Sequence, residues 1–140
     1  MNRKILNTEQ GNFLHTQITS VWNWSGYYFF PLHPTTRNDV VAFDGDLLES
    51  IFSENEFQRF VETLKPSYLK CWREVGDSEE FQAEYFEFGY GYSETVIVDE
   101  KLSWLIYWSH ENTITFGGEE LIAKLKKLIP NWSVALCKLS

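Results

Sequence analysis

His110 and Glu111 begin like the zinc-protease motif, in which two imidazoles one helical turn apart hold the metal and the glutamate activates water. The chain continues Asn112-Thr113-Ile114, so the position four residues after His110 carries isoleucine and the ligand pair is missing. His15 and His33 stand in no metal-ligand spacing either. Asp44, Asp46 and Glu49 resemble the start of a calcium loop. The EF-hand pattern needs glycine sixth and glutamate twelfth, and these places hold Glu49 and Asn55. The acids are therefore expected to start a helix after a turn. Gly89-Tyr90-Gly91-Tyr92-Ser93 has the glycines of a phosphate loop but lacks the Gly-Lys-Ser/Thr ending, and Glu94 would repel phosphate. There is no Gly-x-Ser-x-Gly elbow. Cys71 and Cys137 lie far apart without a CxxC pair, and read as free thiols in a reducing compartment. No catalytic residue, metal or cofactor is expected from these motifs. Treatment with a chelator is expected to leave the melting temperature unchanged.

Charge and aromatic content point elsewhere. The 140 residues carry 20 acids and 12 bases, a net charge of −8. Asp39 to Glu100 holds 16 acids and four bases, while the remaining chain is basic. Such a middle section repels a phosphate backbone, so nucleic acid is an unfavoured partner. It favours encounter with a basic protein. Aromatics make up 17% of the chain, with six tryptophans. Tyr90 and Tyr92, set between glycines beside the acids of 77–87, have the composition of a protein-binding surface. The expected contact residues are Asp77, Glu79, Glu80, Glu84 and Glu87, with Tyr90 and Tyr92 as aromatic anchors. A solvated helix face explains the same acids equally well.

The elements that must position these residues follow from periodicity. Residues 1–11 are expected to be a loose end, and 12–24 a short helix. Tyr27 to Leu32 reads as a strand leaving into a turn framed by Pro31 and Pro34, and Val40 to Phe43 as another strand. Leu47, Leu48, Ile51 and Phe52 predict a helical turn. Ser53 and Glu56 form a capping box for a helix that buries Phe57, Phe60, Val61 and Leu64 and stops at Pro66. Tyr68 to Val75 predicts a strand. Asp77 to Phe88 fits a helix with Phe81, Tyr85 and Phe88 on one face, although the alternation of Phe81, Ala83 and Tyr85 also allows a strand. Thr95 to Asp99, Ser103 to Ser109 and Thr113 to Phe116 predict three strands joined by short turns. Trp104, Ile106 and Trp108 share one face of the middle strand, and Leu105 and Tyr107 the other. Gly117-Gly118 breaks the sheet before a helix from Glu119 to Ile129 that buries Leu121, Ile122, Leu125, Leu128 and Ile129. Strands joined by short turns, with helices on one face, predict a single α+β domain over 1–140 with an antiparallel sheet. No run of 18 apolar residues occurs, and the basic start, MNRKILNTEQGNF, lacks an apolar stretch. The expected compartment is the cytoplasm.

The stretch from Ser93 to Trp132 runs Val-Ile-Val-Asp, then WLIYWSHENTITFGG, then an amphipathic helix ending in Pro-Asn-Trp. It resembles the C-terminal part of small bacterial immunity proteins that neutralise polymorphic or contact-dependent toxins. That resemblance covers less than a third of the chain. It implies a small acidic cytosolic α+β protein that blocks one toxin, frequently a basic nuclease, by covering its active site. Two other readings compete: a small enzyme using paired carboxylates, and a housekeeping protein-interaction module.

Overall fold

The computed structural model describes residues 3–24, 26–86 and 93–138. Seven strands, β1 (Arg3–Ile5), β2 (Val40–Asp44), β3 (Leu69–Arg73), β4 (Glu79–Phe81), β5 (Thr95–Asp99), β6 (Leu105–Trp108) and β7 (Thr113–Gly117), form one sheet of order β1-β4-β3-β5-β6-β7-β2. Every pairing is antiparallel. The helices are α1 (Thr8–Val21), α2 (Gly45–Ile51), α3 (Glu54–Thr63) and α4 (Glu119–Leu128), with single 3₁₀ turns at Ala83–Tyr85 and Trp132–Ala135. The chain is a single α+β domain.

The sheet is covered on both faces. Ile97, Ile106, Trp108, Ile114 and Phe116 face α2, α3 and α4 and pack with Phe57, Phe60, Leu121 and Leu125. Because side chains alternate along a strand, Val96, Val98, Leu105 and Tyr107 point to the other face. There Leu14 and Ile18 of α1 and the aromatic cluster of Trp22, Trp24 and Phe29 bury them. Three helices thus share one face, and α1 takes the opposite one. Double coverage explains why β5, β6 and β7 are buried along their whole length.

Local chemistry sets several element boundaries. Ser53 and Glu56 make the expected reciprocal capping box of α3. Asp44 caps α2 by accepting the Leu47 N–H. Gly117 lets Trp22 close on the sheet, since a Cβ there would stand 2.8 Å from the indole. Gly118 starts α4 at φ 114°, a left-handed conformation that L side chains rarely adopt.

Several sequence expectations are corrected. The described part of the expected loose end, residues 3–11, is ordered: β1 pairs with β4, and Asn7 and Gln10 form a second capping box that starts α1. Tyr27 to Leu32 is not a strand. Phe29 turns inward against Trp24 and Tyr107, and its carbonyl accepts the N–H groups of Leu32 and His33. Asp77 to Phe88 is not a helix over its described part. Glu79–Phe81 pairs with β1 and β3, and only one 3₁₀ turn follows. Over Glu79–Phe81, two flanking strands supply the backbone partners a helix would have had to provide for itself. Leu128 is 49% exposed, whereas Trp104, Ile106, Trp108, Leu121 and Leu125 are buried. Leu121, Leu125 and Ile129 form the buried row of α4, and Leu128 lies beside it.

Candidate functional site

The antiparallel register between β5 and β6 pairs Thr95 with Trp108. The residue before β5, Glu94, therefore stands beside the turn that follows β6. Its side chain has the parity of Val96 and Val98, so it points to the face that carries Tyr107. Glu94 is 2% exposed. Its Oε1 accepts the Tyr107 hydroxyl at 2.5 Å and lies 3.3 Å from Nδ1 of His110, while its Oε2 accepts the His110 backbone N–H at 3.1 Å. One buried carboxylate thus ties a strand tyrosine to both the backbone and the ring of a turn histidine.

The turn itself is rigidly built. Ser109 Oγ accepts the N–H groups of Glu111 and Thr113 and lies 2.6 Å from Thr113 Oγ1. Asn112 adopts φ 58°, a left-handed conformation that asparagine tolerates better than most residues. The Asn112 carbonyl accepts the Gly45 N–H, which anchors the turn to α2. This arrangement holds the His110 ring at the surface, 32% exposed, with Nε2 3.3 Å from Oε1 of Glu111.

Tyr28 packs on that ring at 4.7 Å between centroids, and Tyr27 meets Tyr28 edge-on at 4.9 Å. Tyr27 is 80% exposed, the most open large side chain of the cluster. The Tyr28 hydroxyl has its pKa raised by desolvation and by Glu74, Tyr27, Glu94 and Glu111 nearby. Glu74 donates its backbone N–H to the Glu94 carbonyl, which brings the β3–β4 turn alongside. The result is an open patch of two tyrosines and a histidine bordered by the exposed acids Glu74 and Glu111.

A histidine oriented through Nδ1 by a buried carboxylate is a general-base geometry. Among the described residues, however, no serine, threonine or cysteine side chain hydrogen-bonds the His110 ring. Ser109, the nearest hydroxyl in sequence, is committed to the turn. Among the described residues no cluster of three or more His, Cys, Asp or Glu could hold a metal ion. Both cysteines are free; burial pushes the Cys71 thiol up to about 12.

Of the residues proposed from sequence, the structure describes Asp77, Glu79, Glu80 and Glu84. Asp77 is exposed in the β3–β4 turn, where its carbonyl holds Arg73. Glu79 is nearly buried and is spent on Arg3 at 3.2 Å and Arg73 at 2.7 Å. Glu80 lies in register between Lys4 of β1 and Lys70 of β3. Glu84 is exposed on the 3₁₀ turn. Glu87, Tyr90 and Tyr92 lie outside the described residues. Only Asp77 and Glu84 of the four described acids therefore stand open without a cation in register or in an ion pair.

Sequence reasoning set aside Glu94 and His110 when motifs failed around them, and assigned Tyr27 and Tyr28 to a strand. A signal for the cluster was present. Once Thr95 is aligned with Trp108 across the meander, Glu94 must meet Ser109 and His110. Comparison with family models, curated proteins and solved structures finds no match to this chain.

Proposed function

We propose that this protein binds a basic partner protein through the patch of Tyr27, Tyr28, His110, Glu74 and Glu111, and that the partner is a bacterial toxin it neutralises without chemistry. The observation that carries the binding reading is the exposed Tyr27 set on a half-buried Tyr28, which itself packs on a histidine whose orientation a buried glutamate holds. Rigid tyrosines give large contact area at little entropic cost, and bordering acids steer a cationic surface into register. Asp77 extends the acidic border along the β3–β4 turn. The toxin assignment rests on the acidic composition and on the resemblance carried by 93–132. The encounter takes place in the cytosol; among the described residues no helix is long and apolar enough to cross a membrane.

The test is co-expression with the C-terminal domain of a toxin encoded beside this gene, scored by survival and by co-purification. Tyr28→Ala and the pair Glu74→Lys/Glu111→Lys are expected to abolish protection, and the wild-type association rate is expected to fall as salt rises. Protection that survives both changes would place the contact elsewhere. No protection and no co-purification would end the immunity reading. A second reading, an acid–base enzyme, is favoured by the His110–Glu94 contact alone. Titration separates the two, because an inhibitor blocks the toxin at a fixed stoichiometry and an enzyme inactivates an excess of it.

A further inference from the structure

The helical face carries a groove of opposite character to the tyrosine patch. It lies between α3 and α4, and its volume is about 600 Å³. Phe60 forms its floor and the half-exposed Leu128 one wall. Arg59 from α3 and Lys124 and Lys127 from α4 border it. Among the described residues none of these three cations has an ion-pair or hydrogen-bond partner. Glu56, the acid in the lining, has its Oε1 on the Ser53 N–H that starts α3. Three unpartnered cations around an apolar hollow are unexpected in a chain of net charge −8. Lys127 stands in the last turn of α4, where it suits the helix dipole, but that accounts neither for Arg59 and Lys124 nor for the hollow the three surround.

We propose that this groove binds a small amphiphilic anion: one aliphatic chain with a carboxylate head. The chain lies on Phe60 and Leu128, and the head sits among Arg59, Lys124 and Lys127. Size favours such a ligand over a macromolecule, since the volume falls in the usual range for single small molecules. Composition agrees. A docked amphipathic helix presents anchors at i, i+3, i+4 and i+7 and needs an apolar trough to receive them. Here only two apolar side chains line the groove. Cations drawn from both helices give a head group two-sided electrostatic support. Their aliphatic stems add apolar wall.

The probe is decanoate, kept below its micelle concentration and titrated calorimetrically into the full chain, with decanol as the uncharged control. One saturable site is expected, with decanol at least about tenfold weaker. Lys124→Gln/Lys127→Gln is expected to weaken decanoate about tenfold and to leave decanol unchanged. Leu128→Asp is expected to abolish binding of both. All three side chains are at least partly solvent-facing, and a thermal melt of each variant checks the fold. Leu128→Ala serves if the aspartate variant melts early, and should weaken both probes. Equal affinity for decanoate and decanol would overturn the anion site. Undiminished decanoate binding by the Leu128 variants would overturn the location. Binding to vesicles of dioleoyl phosphatidylglycerol without binding to monomeric decanoate would overturn the small ligand in favour of a lipid surface.

Discussion

Removing the Glu94 carboxylate should unbalance the one place where the sheet, the β6–β7 turn and the tyrosine patch meet. In Glu94→Ala two donors lose their acceptor: the hydroxyl of Tyr107, a residue with no exposed surface, and the partly buried His110 N–H. An orphaned buried donor costs about 1–3 kcal/mol, so the pair sums to about 2–6 kcal/mol. Part of this is offset because a buried carboxylate is itself costly to desolvate. Tyr107→Phe removes a bond to a charged acceptor, worth about 1.5–3 kcal/mol, and leaves Glu94 with its His110 donors. In the double variant the hydroxyl is no longer there to be orphaned. The combined loss should therefore fall short of the sum by about 1–3 kcal/mol. Urea denaturation at pH 7, followed by tryptophan fluorescence, measures all four corners of this cycle. Single variants within about 0.5 kcal/mol of wild type, or losses that simply add, would refute the assigned bond. A pH dependence accompanies it. Burial first, and then the bond to Glu94, raise the Tyr107 pKa, so the folded state holds this proton more tightly than the unfolded state does. The associated stability is present in full below the unfolded value, near pH 10, and is lost as pH rises above it. Tyr107→Phe should flatten the alkaline limb of the stability profile.

Leu125→Ala should cost about 2–5 kcal/mol, because Leu125 has no exposed surface, whereas Leu128→Ala should stay within about 0.5 kcal/mol. Equal losses in thermal or chemical denaturation would contradict the rotation of α4 described above. A disulfide reagent at pH 8 should label Cys137 in the folded protein and reach Cys71 only after unfolding. At a pKa of about 12, roughly one Cys71 thiol in ten thousand is ionised at that pH, and the side chain has no exposed surface. Prompt reaction of two thiols would refute this.

What the sequence determined by itself was local and periodic. Alternation in Leu105–Trp108 placed Ile106 and Trp108 opposite Leu105 and Tyr107, and both sides are buried as alternation requires. The Ser53–Glu56 capping box acts within one turn of chain. Its partners are sequence neighbours, and the Ser-x-x-Glu spacing alone shows it. Where the tertiary structure decided, the partner came from far away in the chain. Glu79 and Phe81 became strand residues because Arg3–Ile5 and Leu69–Cys71 lay on either side to take their backbone groups. Glu79 stopped being a surface acid because Arg3, 76 positions away, reached it. Tyr27 to Leu32 gave up a strand's alternation because the second face of the sheet needed a plug and Phe29 supplied it. The Glu94–Tyr107–His110 contact lies between these cases. Its residues are close in sequence, yet only the β5–β6 register brings them together. Short-range hydrogen bonds and periodicity are written in consecutive residues. A charge, by contrast, is free or spent only according to what the fold lays beside it, and that is why the acids chosen from composition and the patch found in the structure differ.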